Sequence, residues 1–202
     1  MKLVLATGNA DKVKEMREAL RGLPIGIVSL DAYPHIGKIP EEGLTLEENA
    51  RVKAETVARE TGLFALADDT GLEVDALGGK PGVRSSRYAG EGASYDDNVR
   101  KLLKELSGVP PSRRGAIFRT VVAIASPGEK SRVVEGNCKG VIISGARGES
   151  GFGYDPVFMP EGSDMTFAEM TLARKNKISH RGKALAAARG LLEELLEESG
   201  RR

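Results

Sequence analysis

Between Gly115 and Ile143 the chain reads GAIFRTVVAIASPGEKSRVVEGNCKGVII, two long β-branched runs joined at SPGEK. Runs of this length meeting at a Pro-Gly turn predict a β-hairpin. The first third of the chain has a different grammar. Lys2 to Ala6, KLVLA, reads as a short buried strand, and a helix follows from about Lys12 to Arg21 with Val13, Met16 and Leu20 at helical spacing. Ile25 to Leu30 is a second strand. PEEGLTLEENA then opens a long helix, with Thr45 and Glu48 at capping-box spacing, an inner stripe of Leu46, Ala50, Ala54, Val57 and Ala58, and Gly62 as its stop. Phe64 to Ala67 is a strand that ends at the acid pair Asp68 and Asp69. Early alternation of strand and helix, followed by a long hairpin, predicts an α/β fold with a mixed sheet rather than a purely parallel one.

Further along, Ser94 and Asp97 mark a helix start that runs to about Leu106, and Thr166 with Glu169 marks a short helix. The last helix starts near SHRGKAL and turns Leu185, Ala188, Leu192, Leu195 and Leu196 inward, with fraying expected after Glu198. No G-x-G-x-x-G follows the first strand and no G-x-x-x-x-G-K-[ST] loop occurs, which sets aside two common nucleotide-binding designs.

At 202 residues without a low-complexity linker, the expectation is a single domain over 1–202. A formal net charge of +1 argues against a nucleic-acid coat and against a membrane-surface protein. Cys138 is the sole cysteine, so a disulfide framework and a thiolate metal site are excluded. KLVLA is too short for a signal peptide, and no stretch nears the ~20 apolar residues of a membrane span, so the expectation is a cytoplasmic protein.

Five stretches carry candidate chemistry. TGNADK, from Thr7 to Lys12, lies between a strand and a helix, where backbone N–H groups, a hydroxyl, an amide and a lysine suit a phosphate; it also fits a plain turn capped by Asn9 or Asp11. Asp68 and Asp69 point to opposite faces if extended, so one is assigned to chemistry and the other to holding the loop. A carboxylate there, near Glu41 or Glu42, suits Mg2+, which takes oxygen ligands together with substrate phosphates. RKNKISHRGK, from Arg174 to Lys183, gathers five basic side chains and His180 at a helix start, where the dipole disfavours cations unless an anion binds. GFGYDP, from Gly151 to Pro156, lets backbone approach a ligand closely, with Phe152 or Tyr154 to stack on a flat ring. Asn49 and Lys53, four apart on the long helix, sit at the edge of its apolar stripe, facing a cleft or snorkelling at the core margin.

In order and register, LATGNADKVKE, EEGLTLEENARVKA, ADDTGLEVDALGGKPGVRSSRYAG, GFGYDPVF and SHRGKAL resemble the inosine triphosphate pyrophosphatase family, from residue 3 to about 190. The resemblance implies hydrolysis of the α–β bond in triphosphates of deaminated purines (ITP, dITP, XTP), with Mg2+ as cofactor and a homodimer as the assembly. It also implies an elongated mixed β-sheet with flanking helices forming two lobes around a central cleft. By the same resemblance Thr7, Gly8, Asn9, Ala10, Asp11, Lys12 and Lys53 hold the triphosphate. Asp69 binds Mg2+ and takes the proton of water, with Thr70 beside it touching substrate, while Arg84 and Arg87 shape the phosphate side. Phe152, Gly153, Tyr154, Asp155, Lys175, His180 and Arg181 hold the base and its flank. One departure stands out. The family places a metal-binding Glu three residues before the glycine that opens the long helix, and here that position is Pro40; a one-residue gap gives Glu41, with Glu42 a close rival. The alternatives are a pyrophosphatase for other modified nucleotides and a non-catalytic nucleotide-binding module.

Overall fold

The computed structural model describes residues 1–200. Strands are β1 (Lys2–Leu5), β2 (Gly26–Ser29), β3 (Phe64–Val74), β4 (Pro81–Gly82), β5 (Gly115–Ala125), β6 (Arg132–Ile142) and β7 (Phe158–Pro160). Helices are α1 (Ala10–Ala19), α2 (Leu46–Thr61), α3 (Tyr95–Glu105), α4 (Leu172–Ile178) and α5 (His180–Gly200). Among the described residues the strands form one sheet in the order β2-β1-β3-β5-β6-β7, with β4 beside β3. β1 runs parallel to β2 and β3, whereas the β3–β4 and β6–β7 pairs are antiparallel, so the sheet is mixed as expected. No described helix is long and apolar enough to cross a membrane. The fraying expected at the end of the chain concerns residues of which 201 and 202 lie outside the described ones.

The chain divides into two compact units. The first comprises Met1–Asp69, Thr120–Gly136 and the chain from Gly182 onward. Its strands sort side chains by the two-residue period. Leu3, Leu5, Leu66, Val122 and Ile124 meet Met16 and Leu20 of α1 and Leu185, Ala188, Leu192 and Leu195 of α5. Val4, Ala6, Ala65, Ala67, Ala123 and Ala125, on the other face, meet Ala50, Ala54, Val57 and Ala58 of α2. Alanine against alanine leaves little side chain between backbones, so α2 packs close to β1 and β3. That closeness lets polar residues on α2 reach the middle of β3.

The second unit comprises Thr70–Arg119 and Asn137–Arg181. Its core joins Leu72 and Val74 of β3, Val99 and Leu102 of α3, and Phe118, Tyr154, Phe158 and Phe167. α3 starts where the sequence places it, on a reciprocal cap in which Ser94 Oγ accepts from the Asp97 N–H and Asp97 Oδ2 accepts from the Ser94 N–H.

Three expectations are corrected. β3 does not stop at Ala67 but continues through both acids to Val74, because its far half pairs with β4 through Leu72 and Glu73. Thr166 and Glu169 do form a capping box, but it closes only a 3₁₀ turn, Phe167–Glu169. The basic stretch is not the start of one helix. Thr171 caps α4, and Ser179, extended at φ −71° and ψ 158°, separates it from α5. Lys175 and Lys177 therefore lie in the last turn of α4, where the helix dipole favours cations, and the wrong-end argument fails for them.

Candidate active site

Each unit holds one cluster of candidate residues. In the first, the alternation along β3 that sorts Leu66 from Ala65 and Ala67 also sorts the acids. Asp69 falls on the alanine side with α2, and Asp68 on the side of α1. Asp69 is only 7% exposed, and its Oδ2 accepts from Asn49 Nδ2 at 2.9 Å. The same amide is fixed from its other end, since Asn49 Oδ1 accepts from the Gly43 N–H at 2.8 Å. A Cβ at Gly43 would come within 2.7 Å of that oxygen, so this contact requires glycine there. The Thr45–Glu48 capping box sets the first turn of α2, and thereby the height of Asn49 one position on.

Lys53 sits one turn after Asn49 and is also buried. Its Nζ donates to Glu41 Oε1 at 2.5 Å and to the Asp68 carbonyl at 2.6 Å, and lies 3.8 Å from Asp69 Oδ1. Asp68, 1% exposed, is paired on its own side with Lys12 Nζ at 2.9 Å. Burial alone would draw the Lys53 ammonium down, but Asp69, Asp68 and Glu41 around it outweigh burial and hold it above the ordinary lysine value. Burial pushes the Asp69 carboxyl above the usual aspartate range, against the pull of Lys53 and Lys12. The result is a buried carboxylate, oriented by an amide, that keeps more affinity for a proton than an exposed one.

The Thr7–Lys12 turn is a genuine helix entry. Asn9 is its N-cap, and its Oδ1 accepts from the N–H groups of Asp11 and Lys12 at 3.0 and 3.3 Å. Those two donors are engaged by Asn9 in this state. The cap also turns Lys12 toward Asp68.

In the second unit the GFGYDP turn is built on Asp155. Its Oδ2 accepts from the Phe152 N–H at 2.9 Å and from Lys175 Nζ at 2.6 Å. Gly151 has φ +75°, and a Cβ there would lie 2.1 Å from the same oxygen, so no other residue fits. Lys175 Nζ stands 4.9 Å from the Phe152 ring centroid and Arg181 Cζ 5.1 Å from it. Arg181 donates to Thr70 Oγ1 at 3.0 Å. His180 is buried and stacks on Phe118 at 4.2 Å. Tyr154 is a core residue whose hydroxyl donates to the Ser85 carbonyl, so Phe152 rather than Tyr154 is the ring placed for stacking. Arg84 is exposed, and Arg87 Nε lies 3.5 Å from Glu91. Tyr95, which the sequence analysis did not single out, has its ring 5.9 Å from that of Phe152.

The structure thus gathers Lys12, Glu41, Lys53, Asp68 and Asp69 in one unit and Thr70, Phe152, Asp155, Lys175 and Arg181 in the other. Asn49, a candidate from its place on α2, is the residue that fixes Asp69. Glu41, not Glu42, is the acid on Lys53.

The sequence profile of the Ham1 family matches residues 3–191. The chain belongs to the Ham1 family. A relative from Desulforamulus reducens, named dITP/XTP pyrophosphatase, is 50% identical over 195 residues, 96% of this chain and 97% of its own. One of the same name from Bacillus subtilis is 46% identical over 190 residues, 94% of this chain and 96% of its own. Among solved structures, a HAM1 protein from Coxiella burnetii superposes with a TM-score of 0.88 at 40% identity, covering 96% of this chain and 99% of that one.

Proposed function

We propose that this chain hydrolyses the triphosphates of deaminated purine nucleosides, ITP, dITP and XTP, to the monophosphate and pyrophosphate. The observation that carries the reading is Asp69, a buried carboxylate of raised proton affinity, held by Asn49 and flanked by Lys53. Relatives named dITP/XTP pyrophosphatase at 46–50% identity support the substrate class.

A divalent cation fits the first cluster. Around Lys53 and Lys12 stand the carboxylates of Asp68, Asp69 and Glu41, three acids to two ammonium groups. No three His, Cys, Asp or Glu side chains form a cage among the described residues, but Mg2+ needs only one or two carboxylates when phosphates and waters complete its shell. Asp69 and Glu41 would hold it, and the bound ion supplies positive charge to the phosphates.

The remaining work belongs to side chains. Lys12 and Lys53 neutralise phosphate oxygens as charge builds on the leaving pyrophosphate. Asp69 accepts the proton as a water oxygen bonds to phosphorus and the α–β anhydride bond breaks. Asn49 keeps the Asp69 carboxylate from turning toward Lys53 alone. Phe152 stacks on the base, with Arg181 and Lys175 at its rim. The reading includes a homodimer acting in the cytoplasm, in keeping with the family resemblance; light scattering on the purified protein checks the assembly.

The Asp69→Asn variant tests the central role. An amide cannot take the proton and is a poorer Mg2+ ligand, so kcat is expected to fall by ~10²–10⁴ with the fold retained by circular dichroism. A folded variant keeping more than about a tenth of the wild-type rate would remove Asp69 from the base role.

A further inference from the structure

Tyr95 has no part in the reaction as described so far. It is the first residue of α3, set by the Ser94 cap, and it remains 43% exposed although it is large and aromatic. Its ring lies 5.9 Å from that of Phe152, with the planes inclined by 41°. Around the Phe152 ring the described residues thus include two cations and one further ring. Lys175 and Arg181 are buried cations anchored on Asp155 and Thr70. Tyr95 is on the solvent side, and side chains so exposed change rotamer on the picosecond to nanosecond scale.

We infer that Tyr95 is the second aromatic wall of the base site, so that a purine is held between Phe152 and Tyr95. The inference rests on the reading of Phe152 as the base-stacking ring. A flat ring stacked on both faces needs about 7 Å between its neighbours, twice the ~3.5 Å contact distance. From the present 5.9 Å and 41°, Tyr95 must swing outward by roughly 1 Å and also turn its plane toward that of Phe152 to admit the base. Every purine has such a face, so this wall adds affinity without choosing among bases. Tyr95 is thus a positioning residue for the base, distinct from the groups that handle phosphate.

The probes are inosine monophosphate, the proposed product, and inorganic tripolyphosphate, which has no base. Calorimetric titration of Tyr95→Ala is expected to show inosine monophosphate binding weakened about tenfold. KM for ITP rises by a similar factor while kcat changes far less, and tripolyphosphate binding is unaltered. Tyr95→Phe keeps the wild-type values; Tyr95→Leu, with bulk but no π face, does not. Circular dichroism checks that each variant is folded. Unchanged affinity for inosine monophosphate in Tyr95→Ala, or an equal loss toward tripolyphosphate, overturns the inference while leaving the reaction intact if the wild type releases pyrophosphate from ITP. A wild type that neither binds inosine monophosphate nor cleaves ITP overturns both.

Discussion

Asp68 and Asp69 are adjacent, of one chemical kind and almost equally buried, yet they have different partners. Parity along β3 gives Asp69 to Asn49 and Lys53 and Asp68 to Lys12. The third acid is set apart from its neighbour in the same manner. Glu41 Oε1 is 2.5 Å from Lys53 Nζ, whereas Glu42 is exposed. If Glu41 shares the metal with Asp69, Glu41→Gln raises the Mg2+ concentration needed for half-maximal activity well above that of Glu42→Gln. Titrating activity against Mg2+ in both variants decides between them, and the opposite order moves the ligand role to Glu42.

At the scale of elements, the site depends on how close α2 comes to the sheet. Ala54 is fully buried against the alanine face of β3, and Asn49 and Lys53 precede it on the same helix. Ala54→Leu inserts three carbons where nothing yields, a change that typically costs about 1–3 kcal/mol. Its expected signature is a lowered Tm together with a loss of kcat at temperatures where the variant is still fully folded, because the lifted helix takes Asn49 and Lys53 away from Asp69. A lowered Tm with kcat unchanged would mean that the site tolerates a displaced α2. The caps of α2 and α3, the inner stripe of α2 and the long hairpin were all legible in the sequence, since each is marked by a pattern of residues close together in the chain. The continuation of β3 past its acids was not, because it depends on β4, a two-residue strand that no periodicity reveals. The start of the last helix near SHRGKAL was legible and matches α5 at His180, whereas α4 was not, a seven-residue helix that a single extended serine parts from α5.

At the scale of the whole molecule, the mixed sheet followed from strand–helix alternation and the hairpin, and the family followed from five motifs in register. Composition alone gave only the class of protein. Which side chains meet was a different matter. The acids, lysines and glycine turn were visible as residue types, but the amide of Asn49 on Asp69 and the ring of Tyr95 on Phe152 are long-range contacts with no local signature. The proposed activity combines a choice of base with the cleavage of one bond. Hypoxanthine and xanthine carry an acceptor oxygen at C6 where adenine carries a donor, and a site rimmed by donors such as Arg181 leaves adenine mismatched, which can yield discrimination of ~10⁴-fold. Guanine shares the C6 oxygen and is expected to be refused at C2, where its amino donor needs an acceptor, whereas the xanthine C2 oxygen is itself an acceptor and hypoxanthine carries only hydrogen there. The most direct measurement is kcat/KM for pyrophosphate release from ITP, dITP, XTP, GTP and ATP with Mg2+. The first three are expected to far exceed the last two, with ribose and deoxyribose scarcely distinguished; equal values for ITP and GTP, or release of orthophosphate in place of pyrophosphate, would contradict the proposed activity.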